Sequence, residues 1–325
     1  MTPDHPDGGP LVSICIPAFN SGPWIGEAIE SALAQTWPSF EIVVCDDAST
    51  DETLAFARSF SDQRIHVHAN RTRLGKSRNQ NRAIGLSSGT YVKFLHADDK
   101  LNPTCLEEMV AVALEDERIG LVFAGRDVEV EGDVDPDWGE KYARLHEGFT
   151  KLERINDGRS LFKQLLRSGL DENWIGEPSA VMVSRRALER SGYFNERIHQ
   201  IDDLDLWLRI LLGHAAAFID RPLCVYRRHG ESSTFSNQRQ GRDWLDRVWL
   251  LDGLLAEALD PEDREEVERL RRAALRRAAR SQLGRLARGR FGIQLPLYLG
   301  RRALALNGRS RARSVKRRDR PKNRR

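Results

Sequence analysis

Short apolar runs separated by amphipathic stretches make up the first part of the chain. Leu11–Ile16, Phe40–Cys45, Ile65–His68 and Tyr91–Leu95 each have the length and composition of a strand, and the first two are almost continuously apolar. A strand with one wet face alternates, whereas a continuous run marks a strand covered on both faces, as in a parallel sheet. The stretches between carry helix-start signals. Gly22-Pro23 opens one, Ser49-Thr50-Asp51-Glu52 reads as a capping box for the next, and Asn102-Pro103 offers a cap and an N1 proline further on. Strand–helix repetition with short connections predicts an open α/β sheet.

Beyond Leu121–Phe123 the rhythm loosens. Ser179–Ser184 and Cys224–Arg227 read as further strands, with a helix from about Asp203 to Leu212 between them. From about Gln238 the pattern is helical and increasingly arginine-rich. From about Gly308 the chain is nearly all Arg, Lys, Ser and Pro, a composition that cannot bury a core.

Charge separates these regions. The chain has 51 Lys and Arg against 48 Asp and Glu, but 21 of the basic residues lie from Arg269 onward beside a single acid, Asp319. Everything before Arg269 therefore carries a net charge of −17, so an acidic body bears a basic tail. The four cysteines (Cys15, Cys45, Cys105, Cys224) have no metal or redox spacing and read as buried free thiols. The N-terminus lacks a secretory pattern and no apolar run is long enough to span a bilayer, so a cytoplasmic protein is expected.

Ligands of open α/β sheets bind beyond the C-terminal ends of the strands. The first strand is followed by Pro17-Ala18-Phe19-Asn20, the second by Asp46-Asp47 and the fourth by His96-Ala97-Asp98-Asp99. An aromatic platform and two carboxylate pairs thus fall at one sheet edge. Such a concentration of like charge calls for a cation, and Mg²⁺ or Mn²⁺ shared with substrate phosphates is the natural one. Each piece alone also reads as helix-capping charge or a solvated turn; their joint placement gives them weight.

Two further segments carry charge. Asn70-Arg71-Thr72-Arg73-Leu74-Gly75-Lys76-Ser77 falls one glycine short of a phosphate-binding P-loop, since Asn70 stands at the first glycine. Gly75, Lys76 and Arg78 at a helix start still suit an anionic phosphate. The cluster Asp202-Asp203-Leu204-Asp205 opens a later helix, either as complement to its dipole or with one carboxylate serving as a general base.

Taken together, VSICIPAFN, EIVVCDDASTDET, the N-x-x-x-x-G-K-S-R-N stretch and YVKFLHADDKLNP resemble the inverting glycosyltransferases of the GT-A fold that include the cellulose, chitin and hyaluronan synthases. The likeness spans about Leu11 to Thr234. It implies an α/β GT-A fold with a mostly parallel, Rossmann-like sheet and a basic helical extension at the C-terminus. The implied organisation is a disordered 1–10 and a glycosyltransferase domain over 11–235. Its donor-binding half is about 11–123 and its acceptor-binding half about 124–235. A helical extension over 236–307 and a disordered basic tail over 308–325 follow.

The resemblance also implies roles. Pro17 and Phe19 would flank the nucleotide base, Asn20 would line the donor site and Asp47 would hydrogen-bond the base. Lys76 and Arg78 would face the diphosphate. Asp98 would ligate the metal with Asp99 in close support, His229 in Tyr226-Arg227-Arg228-His229 would be an extra ligand, and Asp203 would be the catalytic base. His96 replaces the first Asp of the family's D-x-D motif and Asp202 replaces the usual Glu beside the base. His96 then serves the ribose or a second-shell water, or is simply satisfied by backbone.

The implied partners are a nucleotide-sugar donor, a UDP-sugar foremost, and a carbohydrate or lipid-linked acceptor in polysaccharide, glycolipid or cell-envelope synthesis. Val267–Leu286 and the apolar Phe291–Leu306 stretch suit contact with the inner face of the plasma membrane. No nucleic-acid motif accompanies the basic charge. The rival readings are a non-catalytic nucleotide-sugar binding module and a P-loop-like phosphotransferase on Gly75-Lys76-Ser77.

Overall fold

The computed structural model describes residues 4–5, 9–131, 136–229 and 243–287; Phe291–Leu306 and the tail from 308 lie outside them. Asp4–His5 pairs with Gly9–Pro10 in a short antiparallel ladder within the stretch expected to be disordered. The strands of the main sheet are β1 (Val12–Ala18), β2 (Phe40–Asp46), β3 (Ile65–Ala69), β4 (Tyr91–Phe94), β5 (Lys100–Leu101), β6 (Ile119–Val130), β7 (Ile155–Asn156), β8 (Val181–Ser184) and β9 (Ala215–Arg228). They form one nine-stranded sheet in the order β3-β2-β1-β4-β8-β6-β9-β5, with β7 also pairing β9. β1 is parallel to β2 and β4, β2 to β3, and β6 to β9; β8, β5 and β7 run the other way. The C-terminal ends of β1, β2, β4 and β9 therefore open on one edge. β6 runs through residue 123, where the two halves were expected to divide, and pairs in parallel with β9.

The continuous apolar runs are explained by burial on both sheet faces. Val12, Ile14 and Ile16 of β1 face a core shared with helices α1 (Ile25–Leu33) and α4 (Cys105–Ala113), whereas Cys15 joins the opposite core. That second core is built on α3 (Lys76–Leu86), α6 (Gly158–Arg167) and α8 (Asp202–Leu211) around Phe162 and the fully buried Trp207. All four cysteines are buried free thiols, and burial pushes the Cys15 thiol up to about 12.

Two helix starts differ from the sequence reading. The Ser49–Glu52 box does not close on itself, and α2 begins only at Thr53. Asp51 instead accepts hydrogen bonds from Gly22 N at 2.9 Å and Thr53 N at 3.0 Å, tying the loops after β1 and β2 together. α4 begins at Cys105 because Asn102 N is drawn to Leu223 O at 3.0 Å, which holds the expected cap in a strand-like turn. The remaining helices are α5 (Pro136–Ala143), α7 (Arg185–Ser191), α9 (Asp243–Leu254) and α10 (Pro261–Ala287).

The C-terminal helices belong to the same body. Leu245, Val248, Leu251, Leu254 and Val267 are buried in the core that holds Trp207. Along α10, Asp263, Val267, Ala274 and Ala278 are buried with helical spacing, while Arg272, Arg276, Arg277 and Arg280 stay exposed. The apolar side of Val267–Ala278 is thus already covered by the protein. Among the described residues, no helix is long and apolar enough to cross a membrane.

Candidate active site

The loops after β1 and β2 are stitched together at the sheet edge. Asn20 N donates to Ser49 Oγ at 3.0 Å and Thr50 N donates to Asn20 Oδ1 at 2.9 Å. Both loops contain a left-handed non-glycine residue, Asn20 at φ 50° and Ala48 at φ 59°. For alanine this conformation costs about 1–2 kcal/mol, and such strain concentrates at functional sites. The half-buried Phe19 ring stands in this wall with the Arg73 guanidinium 3.8 Å above its centroid.

Asp47 organises the loop before α3. Its Oδ1 accepts from Leu74 N at 2.7 Å and Asn70 Nδ2 at 2.9 Å, and its Oδ2 accepts from Gly75 N at 2.8 Å. The amides that a P-loop would turn toward phosphate are therefore spent on a carboxylate. This removes the physical basis of the phosphotransferase reading. Two lone pairs per oxygen leave Asp47 Oδ2 able to accept one more hydrogen bond.

After β4, His96, Asp98 and Asp99 present ligand atoms within 4.8 Å of one another. Asp98 Oδ2 lies 3.1 Å from His229 Nε2, at the end of β9. Burial opposes ionisation of Asp98, but the His229 hydrogen bond and the neighbouring His96 ring prevail and hold its carboxyl below the usual range. Asp99 is pushed well up by burial and by Asp98, and its oxygens are taken by the Ser179 hydroxyl and by Arg227 N at 2.9 Å. Asp99 thus anchors the turn, and His229 reaches the group through Asp98. His229 Nδ1 is buried without a partner among the described residues, and Trp24 stacks on the ring with centroids 3.8 Å apart. Carboxylate and imidazole donors such as these suit a Mn²⁺-type ion with some sites left for phosphate and water.

The start of α8 completes the site. Asp202 is fully buried and accepts from Lys76 Nζ at 2.8 Å and Ser77 Oγ at 2.9 Å. Asp203 is half-buried; among the described residues its oxygens accept from Leu204 N at 2.8 Å and Asn173 Nδ2 at 3.1 Å. Burial raises its carboxyl to about 6, with Asp202 and Glu177 adding to the rise and Lys76 opposing it. The two residues expected at the diphosphate are both paired: Lys76 with Asp202, and Arg78 with Glu196 at 2.9 Å on the surface.

Residues 13–192 match the family described as Glycosyl transferase family 2. The chain belongs to that family. It is 38% identical over 252 residues to an uncharacterized protein of Mycobacterium tuberculosis (strain CDC 1551 / Oshkosh), covering 78% of each chain. Among solved structures it is similar to S. aureus TarS 1-349 in complex with UDP-GlcNAc, with a TM-score of 0.62, 19% identity, and 82% and 71% of the two chains covered. It is also similar to the mannosyltransferase PcManGT from Pyrobaculum calidifontis in complex with GDP-Man and Mn²⁺. There the TM-score is 0.57 and identity 21%, with 94% of this chain and 83% of that one covered. These likenesses give this glycosyltransferase its GT-A fold.

Several residues of the glycosyltransferase site carry no sequence signal that reasoning used. Arg126 is fully buried, donates to Glu177 Oε2 at 2.7 Å and to Ile175 O at 3.0 Å, and packs against Gly176, whose φ is 109°. The buried Lys93 donates to Ser179 O and to Phe94 O at 3.1 Å, fixing the turn whose Ser179 hydroxyl meets Asp99. Gln80 lies 3.4 Å from His96 Nε2, and Asn173 reaches Asp203. A Gly-Glu-Pro turn just before a strand, residues 176–178, was the one local hint.

Proposed function

We propose that this glycosyltransferase moves a sugar from a nucleotide-diphosphate sugar to an acceptor hydroxyl in one inverting displacement. Its place would be in the synthesis of a bacterial polysaccharide, glycolipid or cell-envelope glycan. The observation that carries the reading is the state of Asp203. Asp47, Asp99 and Asp202 are buried and tied into the fold, Asp202 by an ion pair with Lys76, whereas Asp203 is a half-buried carboxylate with a raised proton affinity. A partly exposed carboxyl whose proton affinity is raised toward neutral pH suits a general base.

Asp203 takes the proton of the acceptor hydroxyl as its oxygen forms the new bond to the anomeric carbon. The bond to the donor diphosphate breaks, and its electron pair leaves with the diphosphate. Attack from the face opposite the leaving group inverts the centre. Pro17 and Phe19 flank the base, Asn20 shapes the wall, and the remaining lone pair of Asp47 Oδ2 accepts a base N–H. His96 meets the ribose or a second-shell water, and Asp99 steadies Asp98. Asp98, with His229, would hold a Mg²⁺ or Mn²⁺ ion that stabilises charge on the departing diphosphate. The exposed Arg78–Glu196 pair is weak enough to exchange its carboxylate for phosphate.

The ligands of the two similar structures, UDP-GlcNAc in one and GDP-Man with Mn²⁺ in the other, support a nucleotide-sugar donor and a divalent ion here. A UDP-sugar is the first donor to try, with a carbohydrate or lipid-linked acceptor. The exposed Arg272, Arg276, Arg277 and Arg280 on α10 suit an anionic leaflet at the inner face of the membrane, where a lipid-linked acceptor would lie.

A thermal-shift screen of UDP-, GDP-, dTDP- and CMP-sugars with and without Mn²⁺ tests the reading. Metal-dependent stabilisation by one nucleotide is expected, lost in Asp98→Ala and kept in Asp203→Asn, which loses transfer. Turnover that survives Asp203→Asn would remove Asp203 as the base, and donor binding without any transfer by the unaltered protein would instead favour a binding module.

A further inference from the structure

The segment that delivers the base is held from two sides. On one side α3 meets it residue by residue: Asn81 exchanges two 2.9 Å hydrogen bonds with the backbone of Phe194, and Arg78 pairs with Glu196. Ser77 Oγ lies 3.0 Å from Ile198 O, and Lys76 binds Asp202. On the other side α9 contributes the buried Asp246, which accepts from His199 N at 3.0 Å and Gln200 N at 2.8 Å. Within this clamp Asp202 is the one fully buried anion next to the base, and Lys76 is the cation bonded to it.

We propose that Lys76 is a positioning residue that acts through Asp202 to fix the first turn of α8, from which Asp203 is presented, and does not serve the donor diphosphate. The proposal rests on the reading of Asp203 as the base. A buried carboxylate stays in place only if its charge is met by a partner and its oxygens accept hydrogen bonds, and Lys76 with Ser77 supplies both. Losing the ammonium leaves Asp202 as an uncompensated charge beside Asp203, and the turn must rearrange or take up a proton. The charged and titratable groups around Asp203 are Lys76 from α3, Asp202 on its own helix, Glu177 in the turn before β8 and Tyr142 on α5, with Asp246 of α9 acting on Lys76. Lys76 is the cation of this set. Because α3 starts where the loop closed by Asp47 ends, the same contact links the nucleotide wall to the base.

The test is a ¹³C NMR titration of aspartate carboxyls in the full chain, with the Asp203 signal assigned by its loss in Asp203→Asn. Lys76→Met should move the Asp203 midpoint up from about 6 by about one unit or more, and Lys76→Arg should bring it back. Asp202→Asn, which keeps the shape and removes the neighbouring anion, should move it down, so the proposal stays testable if Lys76→Met does not fold. In parallel, nucleotide release from UDP-GlcNAc should show a lower kcat and an unchanged KM in Lys76→Met. An unmoved midpoint in Lys76→Met and Asp202→Asn, or a raised KM with kcat unchanged, overturns the proposal and returns Lys76 to the diphosphate. Full turnover in Asp203→Asn would instead sink the base assignment, and the titration would still decide what Lys76 does.

Discussion

His229 Nε2 lies 3.1 Å from Asp98 Oδ2, joining the end of β9 to the turn after β4 across 131 residues of sequence. The pair brings a carboxylate and an imidazole to one point on the sheet edge, and Trp24 covers the ring from α1's side. Removing one ligand or its orienting partner from such a site commonly costs about 10- to 100-fold in metal affinity. His229→Ala should therefore weaken Mn²⁺ binding by that order, and Asp98→Ala should abolish it. Titration of free Mn²⁺ by electron paramagnetic resonance reads both without any substrate.

The base sets a pH dependence whose direction follows from its charge. Asp203 works only when ionised, and burial raises its carboxyl to about 6. As pH falls through 6 the inactive protonated form takes over, so kcat should drop about tenfold per unit below that point and level off above it. Asp203→Asn should lower kcat by about 100- to 10,000-fold at every pH while donor affinity stays within about twofold. A profile whose acid limb remains near pH 4 would remove Asp203 from this role.

The strands were legible because burial on both sheet faces writes itself as unbroken apolar runs such as Leu11–Ile16. The carboxylates at the strand ends were legible for a related reason: nothing in packing requires Asp47 and Asp98 there. What the sequence hid is partner choice. Lys76 and Asp202 lie 126 residues apart, and no local pattern shows that the ammonium turns to a buried carboxylate. The Ser49–Glu52 box was misread because Ser49 Oγ is claimed by Asn20 N, a tertiary contact, while Asp51 rather than Ser49 accepts from Thr53 N at the start of α2. Arg126 and Glu177, 51 residues apart, were hidden likewise.

That buried pair carries a stability prediction. The Arg126 side chain has no exposure and Glu177 has 6%, so truncating either leaves a charge without solvent or partner. Breaking such a pair typically costs about 3–5 kcal/mol, whereas replacing both members by apolar residues costs far less. Arg126→Leu should lower stability by that order in urea unfolding. Gly176→Ala should do similar damage, since its Cβ would lie 2.1 Å from Arg126 Nη1 at a φ of 109°. The double variant Arg126→Leu with Glu177→Leu should recover much of the loss.

The aromatic wall makes a smaller, cleaner prediction. Phe19 is half-buried, and Arg73 sits over its face rather than any core side chain. Phe19→Ala should thus leave folding stability within about 1 kcal/mol while weakening binding of the nucleotide by about 1–2 kcal/mol, or 5- to 30-fold. Isothermal titration with the free nucleoside diphosphate measures this directly. Phe19→Tyr should restore affinity, because the ring face is kept.

The C-terminal helices divide at the end of α10. Leu245, Val248, Leu251, Leu254 and Val267 each bury an apolar side chain in the core beneath α8. Each is worth about 1.5–3 kcal/mol. Their sum rivals the whole stability of an ordinary domain, about 5–15 kcal/mol. Asp246 of α9 also holds the backbone of 199–200 just before the base. A chain ending before Asp243 should therefore be insoluble or lack a cooperative melt. A chain ending after Ala287 keeps every one of these contacts and should melt within about 2 °C of the full protein. Centrifugation with vesicles rich in anionic lipid separates the tail's own part: loss of binding only in the second truncation's absent residues would place the membrane contact beyond α10. Retention would assign it to Arg272, Arg276, Arg277 and Arg280.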